Sequence, residues 1–368
     1  MLTRTPERRL LSNFNYPLLG VVLVLCTMGL WNLASASRTA HAEVWVNQAW
    51  WLTIGMSVAV LLCSFDYRHL LHVAYPAWVL VIVLLVLVLF VGEAHKGAQR
   101  WLVLGPVRFQ PSELAKIAVV LAMARFYHED KEPPGGYTLK RIWRPALLLI
   151  IPVALVMNQP DLGTAMIILA IGGSLLLFAK VERRTLLALG VIGLGATATA
   201  WLFLLKSYQK ARVTAFLNPA SDALGSGYHS NQSIIAIGSG ELGGKGWGEG
   251  TQTQLRFLPE QHTDFVFSVW AEEHGFIGSV IVIVLYATFL LMAVAVASQA
   301  KERFGVFISV GVAALVFWQV FVNIGMVTGV LPVVGVTLPF LSYGGSSVVT
   351  SMAAIGLLLN VSMRRFLF

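Results

Sequence analysis

The chain has 368 residues, 57% of them hydrophobic and only 12% charged, with a mean hydropathy of +0.74. A water-soluble domain carries about 25% charged residues to wet its surface, so a soluble globular protein is excluded. The net charge of +8 reads as membrane topology and attraction to an anionic lipid surface; no nucleic-acid partner is implied.

A spanning helix needs about 20 mostly apolar residues to cross a hydrocarbon core roughly 30 Å thick. In chain order such stretches fall at 17–36, 48–65, 70–92, 111–128, 144–157, 162–179, 185–205, 276–298, 306–327 and 346–363. The expected fold is an all-α polytopic membrane protein of about ten transmembrane helices. It forms a single membrane domain over 1–368, with no internal repeat and no separate soluble domain. Arg4, Arg8 and Arg9 precede the first span and Ala34-Ser35-Ala36 resembles a leader cleavage site, but the same arginines anchor a retained span. Cys26 and Cys63 both fall inside apolar spans, which leaves neither a disulfide framework nor a thiolate metal site.

Ten spans put both termini on one side, and that side holds fifteen Lys and Arg residues against nine in the opposite loops. The asymmetry predicts cytoplasmic termini. On the outer side one connection, about 206–275, runs 70 residues and is rich in Gly and polar groups. Connections of that length usually serve as lids or binding loops. Within it, 228–237 is amphipathic and 264–274 is helix-compatible. One helix over 264–298 would have 35 residues, longer than the bilayer is thick, so a break is expected at His274-Gly275. The 332–339 stretch is a second candidate for a broken helix.

Several patterns dissolve on inspection. Gly238, Gly240 and Gly243 match G-x-G-x-x-G without the preceding strand of a dinucleotide site, and Gly244-Lys245 lacks the Ser or Thr of a P-loop. Asn231-Gln232-Ser233 is too common a pattern to carry weight. The charged residues at the span entries are more telling. Glu113 and Lys116 lie three apart on one helical face, either as an ion pair holding the helix or as part of a functional cavity. Arg100 and Arg108 flank the same entry, a convergence of cations suited to a phosphate or pyrophosphate. Asp161 either caps the sixth span or binds a sugar hydroxyl. Glu260, His262 and Asp264 precede an apolar run, where Thr263 or Asp264 caps a helix or Asp264 serves as a catalytic carboxylate.

Six motifs then resemble the SEDS family (shape, elongation, division and sporulation), in order and from the first span to the last. They are 96–102, Arg108 through Lys116, Gln159 through Thr164, Gly244 through Trp247, Phe257 through Phe265, and Leu338 through Ser346. The form of 96–100 and the stretch 250–255 resemble the rod-shape branch more than the division branch. No charged motif position departs from the pattern. The resemblance implies a peptidoglycan glycosyltransferase that polymerises lipid II on the outer face of the bacterial inner membrane during elongation. It also implies a class B penicillin-binding protein and other elongation proteins as partners. The family's essential aspartate falls on Asp264, and Glu113, Lys116 and Asp161 match positions used in the family's cavity. Asp264 is then the expected base, with His262 a weaker candidate and Glu260 beside them. Arg100, Arg108, Lys116, Arg212 and Lys245 are candidates to neutralise the pyrophosphate. No cofactor is required by the sequence, though Mg2+ or Mn2+ could join a carboxylate near the pyrophosphate without leaving a signature. Rival readings are a flippase for the same lipid, which would need a polar path to the other face, and a non-catalytic activator of the penicillin-binding partner.

Overall fold

The structure, a computed structural model, describes residues 13–38, 43–95, 98–105, 107–130, 132–217, 226–258 and 260–365. Arg4, Arg8, Arg9, Lys96 and Lys131 lie outside them. Each of the ten expected positions carries a long helix: α1 Tyr16–Ala36, α2 Val44–Ser64, α3 His69–Val91, α4 Pro111–Glu129, α5 Leu139–Asn158, α6 Leu162–Phe178, α7 Arg183–Thr199, α11 Val266–Gln299, α12 Arg303–Val327 and α13 Gly345–Arg364. Between α7 and α11 come the shorter α8 Ser207–Leu217, α9 Ser226–Ser239 and α10 Thr251–Gln254. Among the described residues seven helices are long and apolar enough to cross a membrane by length and composition; α6 is apolar but shorter. The other two, α4 and α5, carry Glu113, Lys116 and Arg125, and Lys140, Arg141 and Arg144.

Local chemistry sets the ends. Asn15 caps α1 by accepting from Leu18 N at 3.1 Å, ahead of Pro17 in the first turn, where a proline loses no hydrogen bond. Pro111 opens α4 in the same way. Arg364 donates to the Cys63 carbonyl at 3.2 Å and Asn360 to the Phe65 carbonyl at 2.7 Å, so α13 satisfies the end of α2.

Burial sorts the helices into layers. In α13 89% of the apolar window is buried, whereas in Arg183–Phe203 none is. A buried all-apolar helix belongs to the core, and one that shows Leu187, Val191 and Leu194 on its exposed surface needs an apolar solvent. The α2 and α13 backbones meet closely, since a Cβ on Gly356 would fall 2.7 Å from Ala59 Cα. Small residues permit that approach, and packing of this kind replaces the hydrophobic effect within lipid.

The break expected at His274-Gly275 is present, with Gly275 at φ 64 and ψ −160 inside α11. A neighbouring strap satisfies the backbone groups that the break orphans. Lys245 N and Gly246 N donate to the Glu272 and Glu273 carbonyls at 3.1 and 3.0 Å. Phe276 N and Ile277 N donate to the Glu241 and Leu242 carbonyls at 2.8 and 3.1 Å. A side chain at 275 would come within 2.3 Å of Gly244 N. The glycine-rich 240–246 stretch therefore serves close backbone contact with the helix break, and the amphipathic 228–237 segment forms most of α9.

One expectation needs correction, and one feature was not anticipated. The 332–339 stretch is not a broken helix but chain without regular secondary structure, with Val334, Val336 and Leu338 buried. Ahead of α4, the strands β1 Glu93–His95, β2 Ala98–Leu104 and β3 Val107–Phe109 pair as a small antiparallel sheet in the order β1-β2-β3.

Candidate active site

Asp264 is held by its backbone before its side chain is considered. Glu260, at φ 52, turns the chain so that its carbonyl accepts from Thr263 N at 3.1 Å and Asp264 N at 3.2 Å. The next carbonyls in line are each taken by a distant partner. His262 O accepts from Tyr343 N at 2.8 Å, Thr263 O from Ser342 Oγ at 2.6 Å and Asp264 O from Asn323 Nδ2 at 2.9 Å. The half-buried Asp264 carboxylate lies against Gly335, where a Cβ would fall 3.1 Å from Oδ2. Helix α11 starts at Val266 with Phe265 in the cap position, so Asp264 stands one residue ahead of the cap. The capping alternative for Thr263 and Asp264 is thereby set aside.

His262 shares the turn. It is half-buried, and its Nδ1 is buried without a hydrogen-bond partner. Burial lowers its pKa below the usual 6.5; the nearby Glu260 charge opposes the shift and Arg256 adds to it. The ring is thus neutral at neutral pH and able to accept a proton.

A second network gathers at the starts of α4, α6 and α13. Asp161 does cap α6, accepting from Thr164 N at 3.2 Å, and it also accepts from Gln110 Nε2 at 3.0 Å. The Arg100 guanidinium lies 3.9 Å from Asp161 and donates to the Gln159 carbonyl at 3.3 Å and to the Pro160 carbonyl. Gln110 N in turn donates to Ser346 Oγ at 3.1 Å, three residues beyond Tyr343, which holds the Asp264 turn. Within the first two turns of α4, the Lys116 ammonium meets Glu113 at 2.7 Å with both side chains buried.

The remaining cations are placed otherwise. Lys245 Nζ lies 2.8 Å from Glu272 Oε1 and 2.8 Å from Thr251 Oγ1, which ties it to the helix-break strap. Arg108 is exposed on β3, 3.7 Å from Glu93. Arg212 is half-buried on α8. Sequence reading missed Asn323, Ser342, Gln110 and Glu272 as site-forming residues. For Asn323 the available signal was a buried amide, one of two with Gln319, in the largely apolar α12, because polar groups within spans are costly. Among the described residues no group of three or more His, Cys, Asp or Glu side chains is arranged to hold a metal ion.

Apolar spans, a broken helix and a cluster of charged residues where several spans begin define an integral membrane protein. A family model described as "Cell cycle protein", covering FtsW, RodA and SpoVE, matches residues 10–366. The peptidoglycan glycosyltransferase MrdB of Escherichia coli K12 is 43% identical over 345 residues, spanning 94% of this chain and 91% of that protein. Stage V sporulation protein E of Bacillus subtilis is 36% identical over 357 residues, 93% of this chain and 95% of that one. Among solved structures, a chain described under "Structural coordination of polymerization and crosslinking by a peptidoglycan synthase complex" superposes with a TM-score of 0.81 at 35% identity, covering 96% of this chain and 98% of that one. The rod shape determining protein RodA of Thermus thermophilus superposes at 0.72 with 32% identity and the same coverage. The chain belongs to the FtsW/RodA/SpoVE family, the SEDS family of the resemblance. Its activity is that of a peptidoglycan glycosyltransferase of cell-wall synthesis.

Proposed function

We propose that this enzyme polymerises lipid II into glycan strands during cell-wall elongation, with Asp264 as general base. The supporting observation is the mounting of Asp264: a half-buried carboxylate beside a glycine, on a turn whose carbonyls are pinned by Tyr343, Ser342 and Asn323. A base must sit within hydrogen-bond reach of the proton it removes, and a pinned backbone keeps it there.

In the reaction, the acceptor GlcNAc hydroxyl gives its proton to Asp264 as its oxygen bonds to the donor MurNAc anomeric carbon. The bond from that carbon to the pyrophosphate oxygen breaks, and undecaprenyl pyrophosphate departs as an anion. That leaving group needs cations more than a protonating acid. We assign the role to Arg100 and Lys116, held by Asp161 and Glu113. Arg108 and Arg212 are outer attractors of the anionic headgroup, and Lys245 is committed to Glu272. His262 is the secondary base and Glu260 shapes the turn. Were a divalent cation, Mg2+ or Mn2+, to join the site, Asp264 is the carboxylate that would hold it, and the ion would supply positive charge for the departing pyrophosphate. The working site faces the periplasm and both termini face the cytoplasm of the inner membrane. The partner is a class B penicillin-binding transpeptidase, in keeping with the coupled polymerization and crosslinking described for the similar complex.

The test is polymerisation of purified lipid II, resolving glycan length on a gel, for wild type and Asp264→Asn, each with and without the partner. Long glycan from the wild type and none from the variant is expected. No polymer from either chain beside an active partner, with labelled lipid II crossing liposomes that hold the wild type, would make the protein a flippase.

A further inference from the structure

We infer that Asn323 is a positioning residue for glycan polymerisation, setting the place of the Asp264 carboxylate by clamping two chain segments together. The inference rests on Asp264 being the base. Asn323 lies in the last turns of α12 and is fully buried. Its Nδ2 donates to Asp264 O at 2.9 Å and to Val336 O at 2.6 Å, so both amide hydrogens bind carbonyls. These carbonyls belong to the segments that face each other across the carboxylate, since Gly335, next to Val336, is the residue against Asp264 Oδ2.

The remaining atom of the side chain supports a role beyond stability. Asn323 Oδ1 is buried without a hydrogen-bond partner, and an unpaired buried acceptor costs free energy. A helix within a membrane core has little reason to keep such a group unless its donors do something an apolar residue cannot. Here they fix a distance. Gly335 sits at φ 73, a conformation in which glycine is unstrained, and its missing Cβ leaves the space beside Oδ2 open. Ser342 and Tyr343 hold the two preceding carbonyls from the same 335–343 stretch. Asn323 is the one helix-borne anchor of the set. Without it, the Asp264 and Val336 carbonyls lose their shared donor and the carboxylate can move relative to Gly335.

The test uses the full chain with its transpeptidase partner and measures kcat and KM for lipid II. Asn323→Ala is expected to lower kcat about tenfold to a hundredfold, the cost of a displacement of about 1 Å, with KM changed less than about twofold. Asn323→Leu, suited to an apolar helix, carries the same expectation should the alanine variant fail to fold. In the background of Asp264→Glu, whose carboxylate is already displaced, adding Asn323→Ala should lower kcat by less than about twofold, because neighbours acting through one group are non-additive. A merely structural role would multiply the two losses. Wild-type kcat in folded Asn323→Ala or Asn323→Leu, beside an inactive Asp264→Asn, overturns the positioning role alone. Normal turnover by Asp264→Asn removes the base reading and the inference with it.

Discussion

Lys245 and Glu272 form the charged lock of the helix break: Nζ lies 2.8 Å from Oε1, and the carboxylate is fully buried. Glu272 also accepts from Gln252 N at 2.9 Å and from Thr253 N and Oγ1 at 3.1 and 2.9 Å. The carboxylate keeps these donors when the lysine is removed, whereas removing the carboxylate leaves the lysine with Thr251 alone and takes the acceptor from Gln252 N, Thr253 N and Thr253 Oγ1. Lys245→Ala should therefore cost about 1.5–3 kcal/mol, the worth of one charged hydrogen bond. Glu272→Ala should cost about 3–5 kcal/mol. Thermal unfolding in detergent checks the order; an equal or reversed order would mean that the loop does not depend on this carboxylate.

The Glu113–Lys116 pair makes a separate prediction about stability and activity. Lys116→Met leaves a buried carboxylate without its counter-ion and should destabilise by about 3–5 kcal/mol. The double variant Glu113→Gln with Lys116→Met removes both charges and should recover most of that loss, because apolar replacements of buried pairs are often near neutral. Polymerisation should not recover, since the pyrophosphate has lost a cation. Full activity in the double variant would reduce the pair to a packing element.

His262 gives the expected pH dependence. Its folded pKa is below 6.5 through burial, whereas the unfolded chain takes up the proton near the usual value of about 6.5. Fewer protons bind to the folded state, so stability is complete above that value and is lost as pH falls through it toward the folded pKa. His262→Gln should flatten this acid loss. Unfolding temperatures at about pH 8 and pH 5.5, compared between the two proteins, decide the matter; parallel curves would place the acid sensitivity elsewhere.

Much of this architecture was legible along the chain because lipid imposes a local rule. A helix that satisfies its own backbone must be apolar over a bilayer's thickness, and that requirement is met within one segment at a time. The break at Gly275 followed from length, and the Glu113–Lys116 pairing followed from a three-residue spacing on a helix. The small sheet was not legible, for β1 and β3 have three residues each and their pairing depends on β2 rather than on any pattern of their own.

The site divides along the same line. Sequence by itself determined which ionisable residues gather near the span entries, since charge is too costly to be scattered through a membrane helix. Tertiary structure alone decided their employment. Lys245 meets Glu272 from 27 residues away and Asn323 meets Asp264 from 59, separations at which spacing holds no geometric information. Hydrogen bonds between packed segments turn one candidate cation into a lock and one buried amide into an anchor for the Asp264 turn.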